Sequence, residues 1–174
     1  MTDRAGSRQA EATAPLDAKV YRDAMARLGA AVHIITTAGP GGRAGFTASA
    51  VCSVTDQPPT LLVCLNRSTS VHKVFAKNRA ICVNTLATEH EALSVLFGGG
   101  GTRMDDRFAA ATWSTLSSGA PVLDGALLSF DCRIAESIAQ GTHEVFFCEV
   151  IAIKTTDNAS GLFYFDRRYR VLQA

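Results

Sequence analysis

A run of small and hydroxylated side chains is the first feature that could serve a chemical purpose. Residues 45–55 read GFTASAVCSVT, with Thr47, Ala48, Ser49 and Ala50 at the centre. Small side chains allow a flat ligand to come close to the backbone N–H groups of a strand. The same composition also fits a crowded barrel strand, in which small residues only ease packing. The run therefore indicates either a site for a planar ligand or a tightly packed strand.

A polar segment between a predicted strand and a predicted helix is the second candidate. Residues 64–72 read CLNRSTSVH. Free N–H groups at a helix start attract phosphate, and hydroxyl, amide and cationic side chains stand beside them: Asn66, Arg67, Ser68, Thr69 and Ser70. His72 either assists such a site or is an ordinary helix residue. A serine cap with a solvated arginine would give the same pattern, so only the combination with the small-residue run favours a flat, phosphorylated ligand.

Two further segments carry titratable or aromatic groups. His143 follows Gly141 and Thr142 in a predicted turn, which places its ring at the rim of a sheet. A histidine at a rim is also often a bystander. The run 163–169 (FYFDRRY) could stack on a ring system and neutralise phosphate, or it could be an edge strand protected by charge. His33 lies in an apolar strand, and a structural role is expected.

The elements that must position these residues are mostly strands. A helix is predicted from the N-cap Asp17 to Gly29, a second from the cap Ser70 to Asn78, and a third from a Thr88–Glu91 capping box to Phe97. Residues 98–102 are expected to form a flexible loop. The predicted strands before residue 90 are 31–37, 46–55, 60–66 and 80–86.

The later strands differ in their patterns. Leu128, Phe130, Cys132 and Ile134 alternate with polar residues, which predicts one buried and one polar face. Residues 145–153 are apolar on both faces, as expected of a central strand or one under a subunit interface. The last strands are 161–165 and 169–172. Because strict alternation of strands and helices is missing, a mainly β fold is predicted, a mostly antiparallel barrel with a few short helices.

Composition narrows the class of protein. The chain has 174 residues, enough for one domain at 16–174 behind a disordered tail at 1–15. The net charge of +1 argues against nucleic acid, and no apolar run is long enough to be a signal or to cross a membrane. A cytoplasmic location is expected. No CxxC, GxGxxG, P-loop or GxSxG motif occurs, so no metal site, Rossmann site or hydrolase nucleophile is predicted.

Several segments, in their order along the chain, resemble the short-chain flavin reductases of the FMN-binding split-barrel superfamily. They are AMARLGAAVHIITT, GRAGFTASAVCSVTDQPPTLLVCLNRS, CVNTL, LFGG with a later RF, GTHEVFFCEV and GLFYFDRRYR. The resemblance spans about residues 20–172 and looks closest to reductases of pyrimidine degradation. It implies a homodimer that reduces FMN with NADH and supplies free reduced flavin to a monooxygenase acting on uracil or thymine.

The resemblance also assigns residues by position. It implies FMN contacts by Thr47, Ala48, Ser49, Ala50, Ser53, Asn66, Arg67, Ser68, Ser70, His72 and Asn84. It implies NADH contacts by His143, Phe165, Arg168 and Tyr169. No acid–base residue is expected, because hydride passes directly between the two cofactors. The turn reads Gly-Thr-His where many relatives have Gly-Asp-His, which leaves discrimination between NADH and NADPH open.

Two other functions remain compatible with the sequence. One is a flavin oxidase related to pyridoxamine-phosphate oxidase, which would hold FMN tightly and need no NADH. The other is a non-catalytic flavin-binding protein.

Overall fold

Strands make up about half of the described residues. The computed structural model describes residues 16–157 and 160–173, and the tail expected at 1–15 lies outside the described residues. The helices are α1 (Ala18–Met25), α2 (His72–Asn78), α3 (Glu91–Gly98) and α4 (Met104–Ala109), with a 3-10 turn at Thr88–His90. The strands are β1 (Ala30–Ala31), β2 (His33–Thr37), β3 (Ala44–Ala48), β4 (Val51–Asp56), β5 (Pro59–Asn66), β6 (Ala80–Thr85), β7 (Trp113–Thr115), β8 (Pro121–Leu123), β9 (Leu128–Gln140), β10 (His143–Thr155), β11 (Ser160–Phe165) and β12 (Arg168–Gln173).

A seven-stranded antiparallel sheet forms the body of the molecule. Its order is β3-β2-β6-β9-β10-β5-β4, so β3 and β4 are its two edges. Only Ser49 and Ala50 separate these edges in the sequence. The sheet must therefore roll until its edges meet, and this gives a barrel that is split between β3 and β4. The predicted fold class, a mainly antiparallel split barrel with a few short helices, is confirmed.

One predicted strand is wrong because of this split. Residues 46–55 were expected to form a single strand, but the chain breaks at Ser49 and Ala50 and passes from one sheet edge to the other. The break is held by backbone bonds, because Val51 N donates to Ser49 O at 3.0 Å and Cys64 N donates to Ala50 O at 3.1 Å. Small side chains fit a strand and a tight crossing equally well, so composition alone could not reveal the break.

Two main apolar clusters fill the interior. Alternation along β5 sends branched side chains inward, whereas β2 and β6 are buried on both faces. The barrel cluster includes Ile35, Leu61, Val63, Leu65, Phe75, Ile81, Val83 and Phe146. The second cluster packs α3 and α4 against the outside of β2 and includes Val32, Ile34, Leu86, Leu93, Phe97, Phe108, Leu123 and Leu162. The helices are thus fixed on one flank of the barrel.

The helix boundaries differ in part from expectation. Asp17 caps α1 as predicted, since its side chain accepts hydrogen bonds from the N–H groups of Lys19 and Val20. The helix ends at Met25 rather than Gly29, and 26–28 form a turn and a bend. Ser70 does not cap α2, whose N-cap position is Val71 with no side-chain cap. The predicted capping box at Thr88 is also wrong, because a 3-10 turn precedes α3.

The burial of the two long strands of the barrel, β9 and β10, depends on the elements that cover them. One face of β9 was predicted to be buried and the other polar, and two residues of the polar face, Ser129 and Asp131, are also fully buried. The β7–β8 hairpin covers them, and the backbone N–H and hydroxyl of Ser118 both donate to Asp131. The central position of β10, between β9 and β5, is confirmed. Its outer face is partly open in the single chain, with Ile153 exposed.

A small C-terminal sheet closes the fold. β1, β11 and β12 pair antiparallel, and the β11–β12 turn is tied to α1. Asp166 N donates to Ala26 O at 2.6 Å, and Arg167 forms an ion pair with Asp23. Across the described ranges, none of the helices is long and apolar enough to cross a membrane.

Candidate functional site

A large cavity opens beside the split in the barrel. Its volume is about 790 Å³, within the range of ligand-binding clefts. Four stretches of chain that are distant in sequence line it. They are 45–50, the β5 end with the following loop (Cys64, Leu65, Asn66, Thr69, Ser70, Val71), the glycine loop with its flanks (97–104, Arg107), and His143. The structure thus brings together the small-residue run, part of the polar segment and the rim histidine.

The β3 wall of the cavity depends on a close approach by α3. A Cβ atom on Gly45 would lie 2.7 Å from the Phe97 ring and 3.1 Å from the Ile35 carbonyl oxygen. Glycine is therefore needed here for α3 to pack on the strand. The Thr47 hydroxyl donates to the Ser94 carbonyl at 2.6 Å, which fixes the same contact. Because its hydrogen is already donated, the Thr47 hydroxyl can only accept a bond from a ligand, and backbone groups and the Ser49 hydroxyl supply the other polar groups of this wall.

The glycine loop forms a further part of the cavity wall, next to β3, and Arg107 holds it in place. Arg107 is 8% exposed. Its guanidinium donates to the carbonyl oxygens of Phe97 at 3.1 Å, Gly99 at 2.6 Å and Thr102 at 3.2 Å. The loop was expected to be a flexible surface segment, but it is anchored at three points and lines the cavity. Sequence reasoning missed Arg107, although it belongs to the RF pair quoted in the resemblance.

The cavity favours an anion. Among the described residues that line it, Arg103, Arg107 and His143 can carry positive charge, and none is a carboxylate. Cys64 also lines the wall, and burial, assisted by nearby Cys52, raises the pKa of its thiol. A protonated thiol is a poor nucleophile. This part of the site is therefore suited to binding an anionic ligand rather than attacking it.

His143 lies where the sequence placed it, at the rim. It is the first residue of β10 and is paired in register with Asn66 of β5 and Gln140 of β9. Its side chain is exposed, and Nδ1 lies 2.9 Å from the Thr142 hydroxyl. The β ladder on both sides fixes the backbone, while the ring stays accessible to a second ligand that approaches the cavity.

The polar segment divides between two cavities. Thr69 and Ser70 line the main one, whereas Arg67, Ser68 and His72 line a neighbouring cavity of about 440 Å³ with Gly141 and Thr142. Asn66 lines both. Its side-chain oxygen accepts from the Ser68 N–H and hydroxyl, each at 2.9 Å, and this orders the loop.

Two predicted contacts lie elsewhere. Asn84 is fully buried in the sheet, where its amide donates to Ile34 O at 3.0 Å and accepts from Leu123 N at 2.8 Å. It supports the β2–β6–β8 junction and does not line the main cavity. Ser53 is exposed on β4 and is also absent from the lining. Ser53 lies beyond the break in the predicted strand, so it continues along the other sheet edge.

The residues of the C-terminal hairpin that line a cavity are only partly those expected. A third cavity of about 280 Å³ lies between β3 and this hairpin, and its lining includes Tyr169 but also Tyr164 and Arg167. Phe165 and Arg168 pair with each other, next to the Tyr164–Tyr169 pair. Because side chains alternate along a strand, the two pairs face opposite ways. The structure therefore does not place Phe165 and Arg168 with Tyr169.

Comparison with known proteins now defines the family. The family model described as "Flavin reductase like domain" matches residues 25–173. The chain belongs to this family. One relative, the FMN reductase (NADH) RutF of Serratia proteamaculans (strain 568), is 65% identical over 152 residues, or 87% of this chain and 86% of that protein.

Solved structures of flavin reductases share the fold. A Haemophilus somnus 129PT protein, proposed to be a flavin reductase, superposes with a TM-score of 0.87 at 44% identity, covering 90% of this chain and 100% of that chain. The NADH:FAD oxidoreductase SgcE6 of Streptomyces globisporus C-1027, solved with NAD and FAD fragments, has a TM-score of 0.82 at 26% identity, covering 92% and 96%. The flavin reductase fold therefore extends over nearly the whole described chain.

Proposed function

We propose that this chain is an NADH-dependent FMN reductase. The observation that carries the proposal is the cavity of about 790 Å³ at the split, which is lined by the small residues 47–50 and by glycines that Arg107 holds. Such a wall suits a flat ring system, and the positive lining suits a phosphate. Membership of the flavin reductase family and the printed names of the relatives at 57–65% identity support the same activity.

The residues of the site fit FMN and NADH. Thr47, Ala48, Ser49 and Ala50 would hold the ring through backbone groups, with the loop after β5 toward the phosphate. His143, with Tyr164 and Tyr169 of the hairpin, would contact NADH. Tyr169 is anchored by a 2.9 Å bond between its hydroxyl and Ser94 Oγ.

The protein's part in the reaction is to bind, orient and exclude water. When bound, the two cofactors supply the chemistry, a hydride transfer from the nicotinamide to the flavin. The protein aligns the two rings at contact distance.

The surroundings of the enzyme are also part of the proposal. We infer a cytoplasmic homodimer that releases reduced FMN to a separate flavin-dependent monooxygenase in uracil or thymine degradation. The inference is supported by the resemblance and, for the dimer, by exposed apolar residues on the barrel such as Ile138 and Ile153. Reconstitution with the monooxygenase, with pyrimidine oxidation as the readout, tests the pathway.

Replacement of His143 tests the reductase directly. Purified protein is mixed with NADH and excess FMN, and the loss of NADH absorbance is followed. His143→Ala should raise the KM for NADH about fivefold, the effect of one lost hydrogen bond, and should leave the Kd for FMN nearly unchanged. Gln140→Ala, in the exposed position paired with His143, is the matched control. Equal losses for both ligands would refute the role of His143, and no oxidation of NADH with any flavin would refute the reductase.

A further inference from the structure

Ser94 is a buried polar residue within an apolar stretch of α3. The helix reads EALSVLFG, and Ser94 is 0% exposed. An alanine would favour the helix more and would bury no polar group. A buried hydroxyl destabilises a fold unless it forms a hydrogen bond. The contacts that Ser94 makes must therefore explain why a serine stands at this position.

The backbone carbonyl of Ser94 is bonded to the β3 wall of the main cavity. It accepts the hydrogen bond of 2.6 Å from the Thr47 hydroxyl. One turn further along α3, a Cβ atom on Gly98 would lie 3.5 Å from the Cβ atom of Thr47, so helix and strand are in close contact. Ser94 is thus fixed relative to this wall by its main chain.

The side chain of Ser94 contacts a different element, the strand β12. Its Oγ atom and the Tyr169 hydroxyl are joined by a hydrogen bond of 2.9 Å. β12 lies at the edge of the small sheet and pairs there with β11. The Tyr169 ring in turn meets the Tyr164 ring edge to face, with 5.3 Å between the ring centroids. The Ser94 hydroxyl therefore holds a pair of tyrosine rings through one of its members.

This tyrosine pair and the β3 wall enclose the cavity of about 280 Å³. Thr47, Ala48 and Ser49 line both this cavity and the main one, so the two cavities share a wall. Ser94 is bonded to the shared wall through its carbonyl and to the tyrosine pair through its hydroxyl. Because Ser94 is buried in a helix, these two bonds fix the tyrosine rings relative to the wall.

The C-terminal hairpin is also held at places that do not involve Ser94. In β11, Leu162 N donates to Leu86 O at 2.9 Å. At the turn of the hairpin, Asp166 N donates to Ala26 O at 2.6 Å. Loss of the Ser94 hydroxyl should therefore free the tyrosine pair without releasing the two strands.

We propose that Ser94 is a positioning residue, which orients Tyr169, and through it Tyr164, for binding of the dinucleotide. The proposal rests on the proposed function, in which the flavin occupies the main cavity and the two tyrosines contact NADH. A side chain that is ordered before binding loses little entropy when the ligand arrives, so the affinity is higher. Ser94 thereby acts on NADH without touching it.

Ser94→Ala removes the bond to Tyr169 and keeps the carbonyl that Thr47 uses. The KM for NADH should rise about fivefold, the effect of one side chain that must be ordered on binding. The kcat should stay within about twofold, because a contact that serves ground state and transition state equally changes KM alone. The Kd for FMN, measured by fluorescence quenching, should also stay within about twofold of the wild type.

Tyr169→Phe removes the other partner of the same bond and should give the same pattern. It also keeps the test available if Ser94→Ala does not fold, since Tyr169 is only partly buried. The double variant Ser94→Ala/Tyr169→Phe should be no worse than either single variant, because all three lack one and the same bond. Val95→Ala changes an exposed residue of the same helix and is the matched control, with both constants unchanged.

Three results would overturn the proposal. The first is a KM for NADH that differs less than about twofold between wild type and both single variants. The second is a rise in the Kd for FMN as large as the rise in KM, which would mean that Ser94 only supports the fold of the site. The third is additive losses in the double variant, which would mean that Ser94 and Tyr169 act separately. Failure of the reductase is distinct, because the wild type itself would then oxidise no NADH with any flavin.

Discussion

Replacing Arg107 by lysine separates the charge of this residue from its geometry. The guanidinium reaches three carbonyl oxygens at once, those of Phe97, Gly99 and Thr102. A lysine keeps the charge but is a compact donor that cannot span the same three acceptors. We expect two of the three bonds to be lost. At about 1.5 kcal/mol or more for each bond to a charged donor, the free energy of unfolding should fall by about 3 kcal/mol.

The same change should weaken flavin binding, because the loop that Arg107 holds is one wall of the cavity. If the loop is ordered in only a fraction of the molecules, the apparent affinity for FMN is reduced by that fraction. We therefore expect the Kd for FMN to rise about tenfold or more. Urea denaturation and fluorescence titration measure the two effects. Arg103→Lys is the control, since its side chain is 80% exposed on the same loop. If Arg107→Lys unfolds and binds FMN like the control, the loop does not depend on the three bonds.

Two other predictions concern stability. Gly45→Ala places a methyl group 2.7 Å from the Phe97 ring, so the free energy of unfolding, measured by urea denaturation, should fall by about 2 kcal/mol. Gly100→Ala is the control and should change this free energy little, because a Cβ atom there has no other atom within 4 Å. Equal urea midpoints for the two variants would show that α3 can shift freely. Burial lowers the pKa of His33 from 6.5 to about 4, so the unfolded chain gains a proton before the folded one, and stability is lost as pH falls through this window. Wild type should lose about 3 kcal/mol more than His33→Gln between pH 7 and pH 4 in urea titrations; parallel losses would remove His33 as the cause.

The strands were predictable because their pattern is local. Branched and alternating residues identified β2, β5, β6 and the paired β9 and β10, and the mixture of many strands with short helices indicated a barrel. The break at Ser49 and Ala50 was not predictable in the same way, because it depends on where the two sheet edges meet. The burial of Asp131 likewise depends on a hairpin that arrives from elsewhere in the chain.

The residue types of the candidate site could be predicted from the sequence, but the directions in which their side chains face could be predicted only in part. The small-residue run and the rim position of His143 follow from composition and a turn. Alternation shows that Phe165 and Tyr164 face opposite ways, but it does not tell which side faces β3. Arg107 was missed because its role is to bind three backbone carbonyl groups, and no pattern of residue types in the sequence indicates such contacts. The partner of His72, Glu144, is 72 residues away and is brought near only by the pairing of β10 with β5.

In the proposed function, the recognition of a ligand is shared between the junction at Ser49 and Ala50 and the loop after β5. Peptide groups at the junction would hold the flat ring that the ligands share, whichever small side chains stand there. The rest of each ligand would meet the loop after β5, whose residues 67–70 are exposed. A new flavin specificity can therefore evolve by exchange of a few loop residues between 66 and 72, while the barrel, with its costly long-range pairings, stays as it is.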